Sequence, residues 1–321
     1  MEYRFCGKSG LQLPLVSLGM WHNFGDSDCF ATMKEIAFKA FESGVTHFDL
    51  ANNYGPPPGS AEINFGRIMK EGLAAHRDEI IVSSKAGHLM WDGPYGDGGS
   101  RKYLMASLHQ SLKRTGLEYF DIFYSHRYCP ETPLEETVQT LIDIVHQGKA
   151  LYVGLSKYPI DKAVEACAMM REQHVKCLIY QDKFNMLHRK PETGYPEMLK
   201  DQGLGFIAFS PLAQGLLTNR YLNGIPADSR VAKSGVFLHR DDINEEYLAK
   251  ATALNDLASQ RGQTLAEMAL AWVLNHKFVT SVIVGASSVA QLQDNLKAVD
   301  NTHFSAEELA VIESILQVGH I

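Results

Sequence analysis

Short runs of β-branched and aromatic residues alternate with amphipathic stretches along the whole chain, and this alternation limits the possible fold more than any other feature. Eight such runs predict strands. They lie at residues 16–18, 46–51, 80–85, 121–126, 151–156, 177–181, 205–211 and 281–286. Between them, apolar residues recur at helical spacing, as in Leu134, Val138, Leu141 and Val145. The pattern predicts an α/β protein.

Two architectures are built from strands and helices that alternate in this way: a closed (β/α)8 barrel and an open, doubly wound sheet. The doubly wound sheet normally has a Gly-x-Gly-x-x-Gly turn after its first strand, and this sequence has none. We therefore predict an α/β (β/α)8 TIM barrel, as a single domain over residues 1–321. Residues 3–14 predict a hairpin at the opposite end of the barrel from the active site. Residues 87–101 and 212–244 predict long loops at the carboxyl ends of the strands, where barrel active sites are built.

Charge and cysteine content argue against several classes of protein. The chain has 30 Lys and Arg residues against 37 Asp and Glu residues, and its net charge of -7 argues against nucleic acid or an anionic membrane as the main partner. The five cysteines include no C-x-x-C pair, so we expect a reduced intracellular protein with no metal site. Neither a secretory signal nor an apolar run long enough to span a membrane is found. We expect a soluble, cytoplasmic protein.

Polar side chains stand at the carboxyl ends of three consecutive predicted strands. The second run contains Asp49, the third ends at Lys85 and the fourth at His126. Each residue alone is typical of a structural ion pair or a capped strand end. On neighbouring strands of a barrel, however, all three lie at similar height around its mouth. We therefore predict that an acid, a base and an imidazole meet there.

Tyr54 completes this set, just past the second predicted strand. A lysine ammonium favours the phenolate form of a nearby phenol, so we expect Lys85 to lower the pKa of Tyr54. Asp49 is expected to hold Lys85 in place and to keep it charged. Tyr54 would then protonate a carbonyl oxygen as that oxygen gains negative charge, while His126 donates a second hydrogen bond to it.

These residues resemble the aldo-keto reductase family, whose signature set is Asp, Tyr, Lys and His at these barrel positions. The resemblance covers essentially the whole chain and is strongest to the branch of bacterial L-glyceraldehyde 3-phosphate and methylglyoxal reductases and potassium-channel beta subunits. The stretches that carry it are GMWHNF at 19–24, FDLANNYGPPPGSAE at 48–62, GGSRKY at 98–103 and DIFYSHR at 121–127. The beta subunits usually carry Asn where this chain has His126, which favours a competent reductase.

The resemblance implies a nicotinamide cofactor, NADPH, bound in an extended form across the barrel mouth. Ser156 and Gln181 are expected to bind the carboxamide, and Phe209 is expected to stack on the ring. The other cofactor positions that the resemblance implies are Trp21, Asp49, Lys157, Ser210, Pro211, Leu212, Gln214, Arg220, Arg230, Gly285, Ser287, Gln291, Asp294 and Asn295. No arginine stands at position 288, so we expect NADPH to be preferred over NADH by a modest margin.

The resemblance also implies a reaction, the reduction of a small aldehyde or ketone such as methylglyoxal or L-glyceraldehyde 3-phosphate. A hydride passes to the carbonyl carbon and Tyr54 delivers the proton. The residues expected to contact the substrate are Trp21, Tyr54, Trp91 and His126. Arg127 or Arg101 is a candidate to bind an anionic tail. Relatives in this branch often assemble into rings, so a homo-oligomer is a further expectation.

Two other functions remain open on the sequence. The first is a cofactor-bound interaction protein, like a potassium-channel beta subunit. The second is a barrel aldolase that uses Lys85 as a Schiff-base nucleophile. Such a lysine needs a desolvated, uncharged amine, whereas Asp49 as a partner would keep it charged, so the aldolase is the weaker alternative.

Overall fold

A computed structural model of the chain describes residues 1–226 and 238–317, and these ranges contain ten strands. The strands are β1 Tyr3–Phe5, β2 Gln12–Pro14, β3 Val16–Gly19, β4 His47–Asp49, β5 Ile81–Ala86, β6 Phe120–Ser125, β7 Ala150–Ser156, β8 Cys177–Lys183, β9 Gly205–Phe209 and β10 Ser281–Val284. Strands β3 to β10 pair in parallel, each with the next along the chain, and β10 pairs with β3. The sheet is therefore a closed barrel, and the predicted (β/α)8 architecture is confirmed.

Each of the eight predicted runs overlaps one strand of the barrel. The largest difference in length is at residues 46–51, of which only His47–Asp49 form a strand. Beyond Asp49 the chain still lies against β5, because the Leu50 and Asn52 N–H groups donate to the Ser83 and Lys85 carbonyl oxygens at 2.9 and 3.0 Å. The turn that contains Tyr54 follows.

Ten α-helices lie in the described part of the chain, most of them between consecutive barrel strands. They are α1 Phe30–Glu42, α2 Ser60–Lys70, α3 Arg101–Thr115, α4 Leu134–His146, α5 Ile160–Glu172, α6 Tyr195–Gln202, α7 Glu245–Gln260, α8 Leu265–Asn275, α9 Val289–Leu296 and α10 Ala306–Gln317. The apolar stripe predicted on α4 faces the core, where Leu134, Val138 and Leu141 are buried. Helix α8 begins with a capping box between Thr264 and Glu267, which satisfies two backbone N–H groups at its first turn.

The amino-terminal hairpin covers one end of the barrel, as predicted. Strands β1 and β2 pair in antiparallel register, with Tyr3 opposite Pro14. Cys6 and Leu13 are fully buried against apolar side chains of the barrel interior, among them Ile122 and Ile207. Because the hairpin closes the amino-terminal end of the strands, the carboxyl end is the only open mouth formed by the described residues. The predicted loop at residues 87–101 leaves that mouth between β5 and α3, and part of the second predicted loop lies outside the described residues.

Candidate active site

The four predicted catalytic side chains lie together at the carboxyl end of the barrel. Asp49 is the last residue of β4, Lys85 lies near the end of β5 and His126 directly follows β6. The Lys85 ammonium donates to Asp49 Oδ2 at 2.5 Å and to the Leu50 carbonyl oxygen at 2.8 Å. Lys85 Nζ lies 5.0 Å from the centroid of the Tyr54 ring, and the rings of Tyr54 and His126 are 6.1 Å apart, edge to face. The structure therefore brings all four residues together.

The Asp49 carboxylate is buried and fully engaged. Besides Lys85, the Ser83 hydroxyl donates to its Oδ1 at 2.8 Å and the Gln181 amide donates to the same oxygen at 3.2 Å. Burying a carboxylate is costly unless hydrogen-bond donors replace its water, and here three side chains do so. Asp49 is thereby fixed in one orientation, with Oδ2 facing Lys85.

Behind Asp49, a chain of buried hydrogen bonds runs through the barrel interior. Ser83 donates to Asp49, so its oxygen accepts from His47 Nε2 at 2.9 Å. His47 Nδ1 then accepts from the Ser17 hydroxyl at 2.9 Å, and Ser17 in turn accepts from Ser281 at 2.7 Å. These directions follow because an ionised carboxylate can only accept, and they assign the His47 tautomer. Burial lowers the pKa of His47 to about 4, so the ring is neutral, as the chain requires.

The sequence-based prediction missed His47 and Ser83, although a signal was present. His47 stands two residues before Asp49, and Ser83 stands two residues before Lys85. Side chains two apart on a strand point to the same side of the sheet. Polar residues at that spacing behind a catalytic candidate therefore predict a supporting contact inside the barrel.

The predicted lowering of the Tyr54 pKa is wrong, because the net shift is upward. Burial of the phenol raises the pKa of Tyr54 well above its ordinary value, and the negative charge of Asp49 raises it further. Lys85 is itself fully buried, and this burial outweighs the opposing effect of Asp49 and lowers its pKa. Tyr54 is accordingly a protonated phenol around neutral pH, with a proton available to donate.

His126 is a neutral imidazole in this site. Burial, followed by the nearby charge of Lys85, lowers the pKa of His126 well below its usual value. Its Nδ1 is buried and has no hydrogen-bond partner among residues 1–226 and 238–317. The edge of the His88 ring packs against it, with 4.5 Å between the ring centroids. A neutral imidazole carries one N–H group, which suits it to donate to a carbonyl oxygen.

Residues predicted to bind the nicotinamide end of a cofactor follow β7, β8 and β9. Ser156 and Gln181 are buried, and Phe209 is half-buried at the edge of the mouth. The Ser156 hydroxyl has no hydrogen-bond partner within the described ranges. A buried polar group without a partner is costly, and an amide of a ligand would satisfy it. The Gln181 amide N–H donates to Asp49 at 3.2 Å, which ties this predicted cofactor residue to the buried carboxylate.

The segment after β9 carries further predicted cofactor residues on an unusual backbone. Ser210 and Gln214 have positive φ values of 51° and 62°, a region that non-glycine residues seldom occupy. Such strain clusters at ligand-binding sites. Pro211 is buried and Leu212 half-buried within the same turn. Arg220 lies farther along on an exposed turn, and the predicted Arg230 lies outside the described residues.

The predicted adenosine end of the site is at the start of α9. Ser288 caps this helix by accepting from the Gln291 N–H at 3.1 Å. The Ser287 N–H and hydroxyl both donate to the side-chain oxygen of Gln291, at 2.7 and 2.9 Å. Asp294 pairs with Lys297 at 2.7 Å on the surface. The Asn295 side-chain nitrogen is buried without a partner among the described residues, which makes it the strongest candidate donor at this end. Gly285 lies in the segment before the helix, where a side chain would meet no other atom within 4 Å.

The two tryptophans predicted to contact substrate differ in position. The Trp21 ring lies 6.3 Å from the Tyr54 ring. Trp91 packs instead against Tyr103, with 5.4 Å between the ring centroids. The Tyr103 hydroxyl donates to the His88 carbonyl oxygen and accepts from the Asn52 amide at 2.9 Å. Tyr103 and Asn52, which the sequence did not single out as site residues, thus join the loops that follow β4 and β5.

Within 1–226 and 238–317, no cluster of three or more His, Cys, Asp or Glu residues is arranged to hold a metal ion. No helix in these ranges has the length and apolar character that a membrane crossing requires.

Comparison with known proteins bears on this site as a whole. The model of the aldo/keto reductase family matches residues 15–317. The chain belongs to the aldo/keto reductase family. It is 53% identical over 325 residues to L-glyceraldehyde 3-phosphate reductase of Escherichia coli (strain K12), an alignment that covers 100% of this chain and 94% of the relative. It is also 36% identical to a probable voltage-gated potassium channel subunit beta of Arabidopsis thaliana, over 94% of this chain and 92% of that protein.

These comparisons confirm the resemblance inferred from the sequence. As an aldo/keto reductase with a named reductase at 53% identity, the chain is an oxidoreductase, and carbonyl reduction is the activity that the family and this relative support. Aldo/keto reductases generally use NADH or NADPH and act on small carbonyl compounds.

Proposed function

We propose that the protein reduces short aldehydes or ketones, of the L-glyceraldehyde 3-phosphate or methylglyoxal type, with NADPH as the reductant. Asp49, Tyr54, Lys85 and His126 form the catalytic site in this proposal. The observation that carries it is the meeting of these four side chains at the open end of the barrel, with Tyr54 protonated and His126 neutral. The 53% identity to a reductase named for L-glyceraldehyde 3-phosphate supports this class of substrate.

In the proposed reaction, Tyr54 and His126 both act on the carbonyl oxygen. His126 donates its single N–H to that oxygen and orients the carbonyl group. The Tyr54 hydroxyl donates a second hydrogen bond and transfers its proton as negative charge develops on the oxygen. The product is an alcohol, and the phenolate left on Tyr54 regains a proton from solvent.

Lys85 and Asp49 support this transfer without contacting the carbonyl. The Lys85 ammonium lies 5.0 Å from the Tyr54 ring centroid, where its charge stabilises the phenolate as it forms. Asp49 holds Lys85 through the 2.5 Å contact and compensates its charge in a buried site.

The residues around the mouth suit a nicotinamide cofactor. The buried Ser156 hydroxyl lacks a partner among the described residues, as expected of a group that binds the carboxamide. Phe209 offers a flat face beside it for the ring. A bound reduced nicotinamide supplies the hydride that adds to the carbonyl carbon. The strained turn at Ser210 and the buried Asn295 amide support an extended binding mode across the barrel mouth.

A direct assay of NADPH oxidation tests the proposal. The purified protein is mixed with NADPH and, in turn, L-glyceraldehyde 3-phosphate, L-glyceraldehyde and methylglyoxal. We expect NADPH oxidation that depends on the carbonyl compound and matches the alcohol formed, mole for mole. If no compound in a panel of short aldehydes and ketones is reduced with either NADPH or NADH, the proposed function is wrong.

A cofactor-bound interaction or regulatory protein is the second candidate, supported by the 36% identity to a probable potassium channel beta subunit. In that case the cofactor would bind and turnover would be absent or very slow, so the same assay separates the two functions. The aldolase alternative is disfavoured, because Lys85 is buried in contact with the Asp49 carboxylate and also donates to the Leu50 carbonyl oxygen. A single barrel domain over 1–321, a cytoplasmic location and a homo-oligomer stay predictions.

A further inference from the structure

Lys157 presents an ammonium group at the barrel mouth beside the proposed catalytic residues. It directly follows β7, and its positive φ of 54° turns the chain away from the strand direction. Its Nζ lies 3.1 Å from His88 Nε2 and 6.0 Å from the centroid of the Phe209 ring. No carboxylate of residues 1–226 or 238–317 pairs with this ammonium within 4 Å, although the side chain is half-buried. A half-buried cation without a paired anion is well placed to bind one from solution.

The two arginines predicted to bind an anionic tail are already engaged. Arg101 pairs with Asp143 on the outside of the barrel, between helices α3 and α4. Arg127 donates to the Gly87 carbonyl oxygen at 2.6 Å and to Asp97 at 2.9 Å, which ties it to the loop after β5. Neither guanidinium presents an uncompensated charge to the mouth. Lys157 is the better candidate.

The charged groups around Lys157 favour an anion at this position. Burial, followed by the positive charges of Lys85 and Arg127, lowers the pKa of Lys157 to about 8. Asp182 opposes this effect from a distance, but its oxygens accept from the Tyr195 hydroxyl at 2.6 Å and the Lys183 N–H at 2.7 Å. An anion bound to Lys157 would relieve the repulsion among the cations.

His88 sets the distance between this ammonium and the reacting carbonyl. Burial and the charge of Lys157 lower the pKa of His88 to about 4, so its neutral Nε2 accepts from the ammonium. The same ring also packs edge to face with His126, with 4.5 Å between the centroids. One imidazole ring therefore separates Lys157 from the group that would bind the carbonyl oxygen. A molecule with only a few bonds between its aldehyde and its charge spans that distance.

We propose that Lys157, held by His88, binds the phosphate of a short phosphorylated aldehyde whose carbonyl group lies at Tyr54 and His126. This inference rests on the proposed reductase function and names the residue that selects phosphorylated over neutral substrates. It also reassigns Lys157, which the resemblance places among the cofactor residues. The phosphates of the cofactor are expected farther away, at the turn after β9 and the start of α9.

Kinetics with a matched pair of substrates tests the proposal. Wild type, Lys157→Gln and Lys157→Arg are assayed with L-glyceraldehyde 3-phosphate and with L-glyceraldehyde, which differ only in the phosphate. We expect Lys157→Gln to lower the ratio of the two kcat/KM values at least about tenfold, equivalent to about 1.4 kcal/mol, mainly through KM for the phosphorylated aldehyde. Lys157→Arg should restore most of the ratio.

Lys183→Gln is the matched control. It removes one positive charge at the end of the neighbouring strand β8 and should change the ratio less than twofold. An equal effect of Lys183→Gln would mean that the general field, and not a local contact, selects the phosphate. An unchanged ratio in Lys157→Gln, or a rise in the NADPH dissociation constant as large as the expected change in the ratio, would likewise overturn the inference.

A binding measurement separates this inference from the proposed function. Calorimetric titration of the NADP+-loaded protein with glyceraldehyde 3-phosphate needs no turnover. Weaker binding to Lys157→Gln than to wild type supports the phosphate site even where reduction is absent. Active enzyme with equal binding by both proteins overturns the phosphate site alone, and absence of both turnover and binding overturns both proposals.

Discussion

At the scale of single residues, the account depends on how one buried carboxylate is held. Asp49 accepts from Lys85, Ser83 and Gln181, and the hydrogen bonds behind Ser83 continue through His47 to Ser281. Each member of this chain of hydrogen bonds has a partner, so these buried polar groups are satisfied at low cost. The site can therefore keep a charged pair in a closed environment and still hold it in one geometry.

Ser83→Ala tests whether this support matters for catalysis. The substitution removes one donor from Asp49 and leaves the His47 N–H without an acceptor, so we expect a loss of about 2 kcal/mol in the free energy of unfolding. Turnover should fall about tenfold, because Asp49 and Lys85 gain freedom to move. Urea unfolding and steady-state kinetics measure the two effects.

Ser84→Ala is its control. Ser84 is the next residue of β5, points to the other face and donates to the buried carboxylate of Glu62 at 2.6 Å. It should lose similar stability while turnover stays within about twofold. Equal losses of turnover in the two variants would show that destabilisation alone explains the effect of Ser83→Ala.

At the scale of elements, helix α3 organises the loop that follows β5. Tyr103, in the first turn of this helix, donates to the His88 carbonyl oxygen and accepts from Asn52, and Trp91 packs on its ring. One side chain thus joins the turn that carries Tyr54 to the loop that carries His88. We expect the ordered conformation of these two loops at the barrel mouth to depend on this contact.

Tyr103→Phe keeps the ring and removes the hydroxyl. We expect faster amide hydrogen exchange in the loop of residues 87–100 and a KM for the carbonyl substrate raised about threefold to tenfold, because Asn52 and the His88 carbonyl lose their shared partner. Hydrogen-exchange mass spectrometry and kinetics measure these effects. Tyr180→Phe, which removes a buried hydroxyl that donates to the Tyr158 carbonyl oxygen at 2.5 Å, is the control. Exchange that is unchanged in the loop, or equally fast in the control, would contradict this role of Tyr103.

Contacts between residues at strand ends could be predicted from the sequence, whereas contacts made by the long loop could not. Asp49, Lys85 and His126 interrupt apolar strands at their ends, and parallel strands in a barrel end at one rim, so their meeting could be inferred from spacing. Tyr103 lies in the first turn of a helix, but His88 lies in a loop, where no repeat relates sequence position to direction. Their contact depends on how a long loop folds back, which a local pattern does not contain.

At the scale of the whole molecule, the alternation of strand-like and helical segments in the sequence predicted the fold. All eight barrel strands overlap their predicted runs, with ends that differ by one to two residues in most cases, and the hairpin lies at the predicted end. The sign of the pKa shift of Tyr54 was not predictable in the same way. It depends on how completely the barrel and its loops exclude water from the phenol, which is a property of the assembled structure.

Cofactor preference is also set far from the reacting atoms. At the start of α9, Ser287 and Gln291 bind each other and the buried Asn295 amide is without a partner among the described residues, so few donors remain for a 2′-phosphate. Neutral hydrogen bonds contribute roughly 0.5–1.5 kcal/mol each. We therefore expect NADPH to bind more tightly than NADH by about tenfold.

Ser288→Arg should widen that margin by adding a charged donor, at a cost of about 1 kcal/mol in stability because Ser288 caps α9. Ser288→Ala loses the same cap without gaining a charge and should leave the margin where it is. Dissociation constants for both cofactors, from fluorescence titration, give the result. Tighter binding of NADH than of NADPH by the wild type would contradict the assignment.

The most direct test of the central claim is turnover by Tyr54→Phe, measured together with NADPH binding. Tyr54 is proposed to donate the proton in carbonyl reduction, and general acids of this kind contribute about a hundredfold or more to rate. The variant keeps the ring beside Lys85 and loses only the hydroxyl. We predict a fall in kcat of at least about a hundredfold, with an NADPH dissociation constant within about twofold of wild type. Turnover that stays within a few-fold of wild type would show that another group supplies the proton.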